Sequence, residues 1–453
     1  MVAQIQKKLN DSAFIRWSAL ILIALMMFFG YMFVDMLSPL KSQLESSLGW
    51  DSGTFGTYAA SEYFLNVFCF FLIFAGIILD KMGIRFTGLL SASLMVIGAC
   101  IKFYGMSDWF IGSGLEQWLG SWWVALPATA KMSCLGFMIF GCGCEMAGTT
   151  VSKAIAKWFK GKEMAMAMGL EMSIARLGVF AAMWLSPMVF EKFGQNVSAP
   201  VAFGAILLII GLIFYTVFVV LDKKFDKQLE AAGELTKEAN EEEFKFKDLG
   251  KIFSSKMFWL VALLCVLYYS AIFPFQRYAP DFLNTTLGVE NGAQLFSCFP
   301  ILAMVLTPVL GAFIDNKGKA ASMLMVGSLV MIICHLSFAF LLPAFPYKWL
   351  AISIIVILGV SFSLVPAALW PSVPKIIDNR ILGSAYCIIF WIQNIGLFAV
   401  PILIGEVLDA TGGYTLPMVI FSSFGVLALL FSLWLKRENR KNNYGLEEPN
   451  IKK

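Results

Sequence analysis

Two residues of opposite charge lie inside apolar stretches of this sequence. Glu145 belongs to the stretch 131–156, and Arg176 belongs to the stretch 163–190. An isolated carboxylate at the centre of a membrane helix costs about 2.5–3.5 kcal/mol on insertion scales, so a charge that is kept there indicates a function. A carboxylate binds an ammonium group, and the planar guanidinium of arginine binds a carboxylate through two hydrogen bonds. The two side chains together have the chemistry to hold a zwitterion.

The composition places most of this chain in a lipid bilayer. Hydrophobic residues make up 59% of the 453 residues and charged residues 14%, whereas a soluble domain has roughly 45–50% and 25%. Apolar runs of about 20 residues follow one another, as membrane helices require, and none shows the alternating polarity of a membrane β-barrel strand. The formal net charge of +4 does not indicate a nucleic-acid partner. We therefore expect an all-α polytopic membrane protein.

The apolar runs predict twelve transmembrane helices in two pseudo-symmetric bundles of six. Their predicted bounds are 15–37, 54–79, 84–104, 131–156, 163–190, 198–221, 256–284, 291–314, 320–341, 346–371, 381–409 and 413–436. The predicted domains are an N-terminal bundle (1–221), a charged cytoplasmic linker (222–255), a C-terminal bundle (256–436) and a cytoplasmic tail (437–453).

Basic residues in the short loops predict the orientation in the membrane. One set of loops is rich in Lys and Arg, as in "DKMGIR" (80–85), "KWFKGKE" (157–163) and "DNKGK" (315–319). The opposite loops, such as "EKFGQN" (191–196) and "LGVENG" (287–292), are acidic or mixed. The positive-inside rule then places both termini in the cytoplasm. We expect a multi-pass protein of a bacterial inner membrane, whose first apolar run is too long for a signal peptide.

The two halves of the chain repeat one another. "GIILDKMG" (76–83) follows the second predicted helix, and "GAFIDNKG" (311–318) follows the eighth. "EMSIARLG" (171–178) and "FWIQNIGL" (390–397) are a second echo, at the fifth helix of each half. Such internal repeats, with a binding site between them near the membrane midplane, are typical of secondary transporters.

The first repeat resembles motif A of the major facilitator superfamily. Residues Gly76, Asp80, Lys81, Gly83 and Arg85 match that motif, and Asp315, Lys317 and Gly318 match a weaker second copy. The resemblance implies a gating role, in which an Asp accepts hydrogen bonds from the N-terminal amides of a helix in the other half. That contact would hold the halves together when the cytoplasmic side is closed.

Four further stretches are similar to one branch of that superfamily, the branch named for major facilitator superfamily domain-containing protein one. They are "KWFKGKEMAMAMGLEMSIARLG" (157–178), "YYSAIFPF" (268–275), "ALWPSV" (368–373) and "LGSAYCIIFWIQNIGL" (382–397). The known member of that branch is a lysosomal dipeptide uniporter. The resemblance implies transport of dipeptides by alternating access, a rocking of the N-terminal bundle against the C-terminal bundle. It also implies that Glu145 and Arg176 bind the substrate.

The predicted helix ends place Glu145 and Arg176 at similar depth. Eleven residues separate Glu145 from the end of its helix, and thirteen separate Arg176 from the start of the next. At the usual rise per residue these distances are about 16 and 20 Å. One interpretation is a substrate clamp, with Glu145 for an α-ammonium and Arg176 for an α-carboxylate. The alternative is a purely structural ion pair.

The other candidate residues lie in both halves. Glu62, Asp35, Arg277 and Asp281 are predicted near the outer ends of their helices, where they line the external mouth or reach the headgroups, and Glu406 and Asp409 are predicted to be solvated. Glu62 and Glu145 are the residues that could exchange a proton. The predicted substrate contacts besides Glu145 and Arg176 are Tyr31, Tyr268, Tyr269, Trp391, Gln393 and Asn394, with packing as the alternative role of the aromatic residues.

Two departures from proton-coupled relatives favour uniport. Phe137 stands where many of them carry an Arg, eight residues before Glu145, and the first helix lacks the E-x-x-E-R pattern of proton-coupled oligopeptide transporters. The alternatives are a proton-coupled carrier of a small organic anion or other metabolite, and a receptor-like protein that does not translocate. We expect a monomer, and the sequence does not specify an accessory subunit.

Enzymatic chemistry is not indicated. His335 is the only histidine, which nearly excludes a Ser-His triad or a two-histidine metal site. The nine cysteines fall almost entirely in apolar runs, where they act as small hydrophobic residues. We therefore predict no cofactor and no metal.

Overall fold

A computed structural model describes residues 8–160, 162–231, 249–377 and 382–449, and within these ranges every regular element is helical. The all-α fold with two six-helix bundles is confirmed. The parts of the predicted domains and helices that fall on residues 1–7, 161, 232–248, 378–381 and 450–453 lie outside the described ranges. In chain order the helices are α1 (Ala13–Val34), α2 (Lys41–Leu48), α3 (Ser52–Ser61), α4 (Phe64–Phe68), α5 (Phe71–Gly105), α6 (Gly114–Gly120), α7 (Ala128–Trp158), α8 (Met164–Lys192), α9 (Ser198–Ala231), α10 (Leu249–Ser254), α11 (Lys256–Leu287), α12 (Gly292–Phe296), α13 (Cys298–Lys317), α14 (Ala320–Leu336), α15 (Leu342–Ala344), α16 (Lys348–Leu369), α17 (Val373–Ile376), α18 (Leu382–Thr411) and α19 (Thr415–Asn442).

Eleven helical segments of the described chain are long and apolar enough to span a membrane. The second predicted helix, 54–79, is not one uninterrupted segment. It consists of α3, α4 and the first part of α5, with Phe70 in the left-handed region (φ 51°, ψ 34°) at the second interruption. Nothing in the sequence marks this break, because no Gly or Pro occurs between residues 57 and 75. We call this broken crossing, residues 52–82, the second crossing.

The turn after the second crossing depends on Gly83. Helix α5 runs through this turn into the third crossing, and Gly83 has φ 73° and ψ 173°. That region of backbone space is open essentially to glycine alone. Gly318, in the second copy of the motif, joins α13 to α14 with the same φ of 73°. The sequence repeat is therefore also a repeat of backbone conformation.

Each half has its own helix packing, and the two halves meet along a few helices. In the N-terminal half α5 packs on α7 and α1 on α8, while in the C-terminal half α14 packs on α19 and α13 on α16. Between the halves, α3 packs on α18 and α8 on α13. We name the two membrane faces by their loops. The basic side carries Lys81, Lys160 and Lys317, and the acidic side carries Glu45, Glu191 and Glu290.

Described residues of the predicted linker and of the tail pack against the two bundles. The predicted linker begins inside α9, where Asp222 is fully buried and accepts hydrogen bonds from Lys157 Nζ (2.8 Å) and Trp158 Nε1 (2.9 Å). Beyond α19 the tail folds back onto the C-terminal half, and the Glu447 carboxylate accepts from the Ser322 amide (2.8 Å) and hydroxyl (2.7 Å). Asp222, the first residue of the predicted linker, therefore belongs to the N-terminal bundle, because Lys157 and Trp158 hold its carboxylate there.

We expect Gly83→Ala to lower the free energy of unfolding by about 1–3 kcal/mol, the usual cost of a strained backbone conformation. A methyl group at Gly83 would meet no atom within 4 Å, so the effect would come from the backbone alone. Gly76→Ala is the matched control, since Gly76 also has open space around it but has no positive φ. Thermal unfolding of the two variants in detergent measures the difference. Equal midpoints for both variants would contradict the strained turn.

Candidate functional site

Glu145 and Arg176 lie at the same level of the N-terminal half. Glu145 is thirteen residues before the end of α7, and Arg176 is twelve residues after the start of α8. Both of these helix ends lie on the basic side, so the two residues are about 20 and 18 Å from it along their helices. Both side chains are half-buried. The predicted similarity in depth therefore follows from the helix bounds of the structure.

Glu145 and Arg176 do not form an ion pair with each other. Neither residue belongs to any of the ion pairs within 4.0 Å that the described chain contains. The half-buried Tyr31, on α1, lies close enough to Arg176, Glu171 and Glu145 for all three charges to act on it. A structural ion pair predicts direct contact, so the arrangement favours two separate charges around Tyr31.

Aromatic rings of the C-terminal half support the guanidinium of Arg176. Its Cζ atom lies 5.1 Å from the ring centroid of Phe362 and 5.7 Å from that of Phe273. Tyr269 stacks on Phe273 with centroids 5.4 Å apart, and its hydroxyl accepts from Trp370 Nε1 at 3.1 Å. A cation over a ring face is stabilised without using its N–H groups. These groups of Arg176 keep their capacity to bind a carboxylate.

Two predicted contacts of the C-terminal half lie where α18 meets the second crossing. The Trp391 indole nitrogen donates to the Val67 carbonyl at 3.0 Å, and its ring stacks on Phe70 with centroids 5.3 Å apart. Asn394, three residues further along α18, interacts with the carboxylate of Glu145. The structure thus brings Trp391 and Asn394 to the N-terminal half at Glu145.

Tyr268 and Gln393 are directed elsewhere. The Tyr268 hydroxyl contacts the Leu324 carbonyl and the Ser328 hydroxyl on α14, and the residue is almost fully buried there. The Gln393 side-chain oxygen accepts from Cys265 Sγ at 3.3 Å, on the neighbouring helix α11. In this structure both residues are bonded within the C-terminal half, so the predicted contact of Tyr268 with substrate is not supported by its position.

The acidic side is closed by a buried network of charges between the halves. Arg277, on α11, lies 2.6 Å from a carboxylate oxygen of Glu62 and 3.5 Å from one of Asp35, and it also donates to the Val34 carbonyl. Gln276 donates to Asp35 at 2.6 Å. All four polar side chains are at least 90% buried. The expectation that Glu62, Asp35 and Arg277 reach the headgroups is wrong, because each finds its partner inside the protein.

Further contacts extend this closure towards the acidic surface. Asp281 lies 3.2 Å from Lys41 and accepts from the Ser42 hydroxyl at 2.6 Å. Asp409, on α18, accepts from the backbone amides of Ser52 (2.9 Å) and Gly53 (2.5 Å) at the start of α3. Asp409 was expected to be solvated, and instead it caps a helix of the other half. The contact expected of motif A, an Asp that accepts from the N-terminal amides of a helix in the other half, is thus found on the acidic side.

The motif A residues make a different contact in this structure. Asp80 accepts from Lys153 Nζ at 2.9 Å, within the N-terminal half. Arg85 lies 3.0 Å from Asp226 and 3.8 Å from Asp222, at the end of α9. These contacts join the helices of one bundle on the basic side.

Lys102 belongs to the closed network, and the sequence reading did not single it out. It is fully buried on α5, and its ammonium lies 4.3 Å from the ring centroid of Phe33, 4.5 Å from Phe137 and 4.9 Å from Tyr58. Its Nζ makes no hydrogen bond within the described residues. A lone Lys near the end of an apolar run resembles an ordinary snorkelling residue, so only the packing of the three rings shows that it is held inside.

The comparisons with known proteins agree with this architecture. Residues 23–401 match the family described as the Major Facilitator Superfamily. The chain belongs to the Major Facilitator Superfamily. This member is therefore a multi-pass membrane transporter and not an enzyme.

Several individual proteins are similar to this transporter. The lysosomal dipeptide transporter MFSD1 of Danio rerio is 29% identical over 91% of this chain and 84% of its own length. The protein of the same name from Homo sapiens is 28% identical over 93% and 86%. A probable sulfoacetate transporter, SauU of Cupriavidus necator, is 23% identical over 65% and 70%.

Solved structures share the fold at low sequence identity. The nucleoside transporter NupG superposes with a TM-score of 0.68 at 15% identity, covering 92% of this chain and 99% of NupG. A partially occluded inward open conformation of the xylose transporter XylE from E. coli gives a TM-score of 0.67 at 14% identity, covering 92% and 97%. At these identities the likeness establishes the fold alone.

We expect Arg277→Gln to open the acidic side. The variant removes the charge that joins Glu62 and Asp35 to the other half, and loss of one partner of a buried pair costs about 3–5 kcal/mol. Hydrogen exchange of the α3 amides should then be at least about tenfold faster. Lys256→Gln is the control, because Lys256 pairs with Glu438 inside the C-terminal half at 2.7 Å. An unchanged rate of hydrogen exchange at the α3 amides in a folded Arg277→Gln protein would show that Arg277 does not hold the acidic side closed.

Proposed function

We propose that this chain is a uniporter of small zwitterions, most specifically dipeptides, and that it works by rocker-switch alternating access. The single observation that carries the proposal is the pair of separate charges around Tyr31. Glu145 and Arg176 lie at one depth of the N-terminal half, and neither is neutralised by an ion pair in the described chain. Unpaired charges at membrane depth are rare and mark substrate pathways.

The absence of an ion pair between the two charges is what a substrate with separated termini requires. Two extended residues span about 7 Å, so the ammonium and the carboxylate of a dipeptide lie much further apart than those of a single amino acid. Charges in direct contact would leave no room between them for such a molecule. We infer that Glu145 binds the ammonium and that Arg176 binds the carboxylate through its two-pronged guanidinium.

Substrate binding would also connect the two halves. Arg176 already rests on Phe273 and Phe362 of the C-terminal half, and Asn394 lies beside Glu145. A molecule bound to both charges therefore touches both bundles. Its binding free energy is then available to shift the balance between conformations closed on the acidic side and conformations closed on the basic side.

The relatives support dipeptides over the other candidate. The MFSD1 proteins, named as dipeptide transporters, are similar over nine-tenths of this chain, while the probable sulfoacetate transporter is similar over 65%. That weaker likeness favours a carrier of a small organic anion as the second candidate. Such an anion would bind Arg176 but would be repelled by Glu145, which is why we place it second.

We further propose a setting for this activity. The basic side faces the cytoplasm of a bacterium, and motif A, with Asp80 and its second copy at Asp315, controls opening on that side. The substrate enters from the acidic side after the network of Arg277 opens. The protein acts as a monomer.

We expect Glu145→Gln and Arg176→Lys to lower the kcat/KM of dipeptide uptake into proteoliposomes by about ten- to hundredfold, since the first removes the charge that binds the ammonium and the second removes the bidentate binding of the carboxylate. Glu191→Gln and Arg440→Lys are matched controls at exposed positions and should keep wild-type uptake. The exchange of the two charges, Glu145→Arg with Arg176→Glu, should give a folded protein without uptake. Retained uptake in the exchanged protein would show that the two charges are structural, and no uptake of any dipeptide by the wild type would refute the proposed function.

Uniport predicts that the initial rate of dipeptide uptake does not change when a proton gradient is imposed. Phe137 stands where many proton-coupled relatives have a basic residue, and it packs against Tyr58 with ring centroids 4.8 Å apart. The same proteoliposomes, with and without a gradient of one pH unit, provide the comparison. Accumulation of dipeptide above its external concentration, driven by the gradient, would show proton coupling instead.

A further inference from the structure

Two buried asparagines lack hydrogen-bond partners at the break in the second crossing and on the helix beside it. Asn66, on α4, is 1% exposed, and both its Nδ2 and its Oδ1 are without a partner in the described chain. Asn394, on α18, is also 1% exposed, and its Nδ2 lies near the Glu145 carboxylate but within hydrogen-bond distance of no acceptor in the described chain. A buried polar group that is left unpaired costs about 1–3 kcal/mol. Carboxamides kept at this cost indicate a ligand that completes their hydrogen bonds.

Asn66 lies at the level of Glu145. A methyl group at Gly141 would lie 2.0 Å from the Glu62 carbonyl oxygen, so α7 contacts the end of α3 at this point. Helix α4 contacts α7 as well, and the second crossing and α7 both run towards the basic side. One helical turn beyond this contact lie Asn66, four residues after Glu62, and Glu145, four residues after Gly141.

Asn394 reaches this level from the other half. Helix α18 runs antiparallel to the second crossing, and its register is fixed at three points. A methyl group at Gly405 would lie 2.2 Å from the Ser52 carbonyl oxygen, and one at Gly56 would lie 2.3 Å from the Pro401 carbonyl oxygen. The Trp391 indole donates to the Val67 carbonyl. Asn394 is therefore within about one helical turn of Asn66 along the axis.

We propose that Asn66 and Asn394 bind the peptide group of the substrate, between its two charged ends. This inference rests on the proposed dipeptide function and adds the part of the site that recognises the amide. A peptide group has one donor and one acceptor. The Asn66 Oδ1 accepts its N–H, and the Asn66 and Asn394 Nδ2 groups donate to its carbonyl oxygen. One carboxamide comes from each half, so the amide of the substrate joins the bundles at the level of Glu145.

The same arrangement predicts how the transporter rejects other zwitterions. A site with unpaired buried amides disfavours a ligand that cannot complete their hydrogen bonds. Gly-Gly, 5-aminolevulinate and 5-aminopentanoate have the same chain length between ammonium and carboxylate. The second lacks only the N–H of the peptide group, and the third lacks both the N–H and the carbonyl. The three compounds therefore separate recognition of the amide from recognition of the charges.

The experiment measures inhibition of labelled dipeptide uptake by these three compounds in the wild type, in Asn66→Ala and in Asn394→Ala. We expect the wild type to bind Gly-Gly about tenfold or more tightly than 5-aminopentanoate, with 5-aminolevulinate between them. Both variants should reduce this ratio towards one. Asn394→Ala should weaken binding of Gly-Gly and 5-aminolevulinate alike, because both have the carbonyl, whereas Asn66→Ala should weaken Gly-Gly more, because only Gly-Gly has the N–H. Asn316→Ala, at an exposed asparagine on α13, is the matched control and should keep the wild-type ratio. Thermal stabilisation by each compound gives the same comparison if a variant takes up substrate too slowly.

The outcomes separate this inference from the proposed function. A wild type that takes up dipeptides but binds all three compounds equally overturns the amide site alone. The same conclusion follows if the variants weaken the binding of all three compounds by the same factor, because Asn66 and Asn394 would then only shape the site. A wild type that is neither inhibited nor stabilised by any dipeptide overturns the proposed function, and the amide site with it. Unfolding midpoints at or above the wild-type value should accompany Asn66→Ala, since it removes an unpaired buried group.

Discussion

The free energy of placing charged and polar groups in hydrocarbon governs the whole of this structure. Water is absent from the bilayer core, so each buried polar group needs a partner within the protein. Most of the intramembrane charges satisfy this condition in one of two ways. Asp222 is held inside one bundle by Lys157 and Trp158, whereas Arg277 joins Glu62 and Asp35 across the two bundles. Glu145 and Arg176 belong to no ion pair in the described chain, and Lys102, which also lacks one there, is stabilised by three aromatic rings instead.

The location of each pair determines what it does. A pair inside one bundle stays intact when the bundles rock, so it contributes rigidity. A pair between bundles must break on every cycle, and its strength then sets the balance between conformations. The acidic side concentrates such contacts at Arg277, Asp281 and Asp409. Lys102 remains in the N-terminal half beside this network, where three aromatic rings stabilise its charge.

The broken second crossing brings backbone and side-chain polar groups to the middle of the protein. Its interruption leaves the Val67 carbonyl to accept from Trp391 of the other half. It also sets Asn66 on a short helix that faces α7. Discontinuous helices form the substrate sites of many transporters, because irregular backbone is tolerated only where it is enclosed by protein or lines a cavity. In this chain the break, the two charges and the unpaired amides lie at one depth.

The sequence by itself determined the class of fold, the internal repeat and the depth of the two central charges. Apolar runs of helix length have one stable arrangement in a bilayer, and motif A needs a turn that glycine alone makes at Gly83 and Gly318. Helix ends near residues 158 and 164 then fix the level of Glu145 and Arg176 by rise per residue alone. These features are local, so their signals lie in neighbouring residues.

Only the tertiary structure decided which polar groups meet. The sequence predicted Asp409 in solvent and Glu62 at the external mouth or the headgroups, and it predicted the second crossing as one helix without an interruption. It also predicted both Tyr268 and Trp391 as substrate contacts, although Tyr268 bonds to α14 and Trp391 bonds to Val67. The physical reason is that hydrogen bonds across helices depend on rotation and register between segments far apart in the chain. No pattern along a single helix carries that information, and a stretch without Gly or Pro such as 64–75 gives no sign of where its backbone breaks.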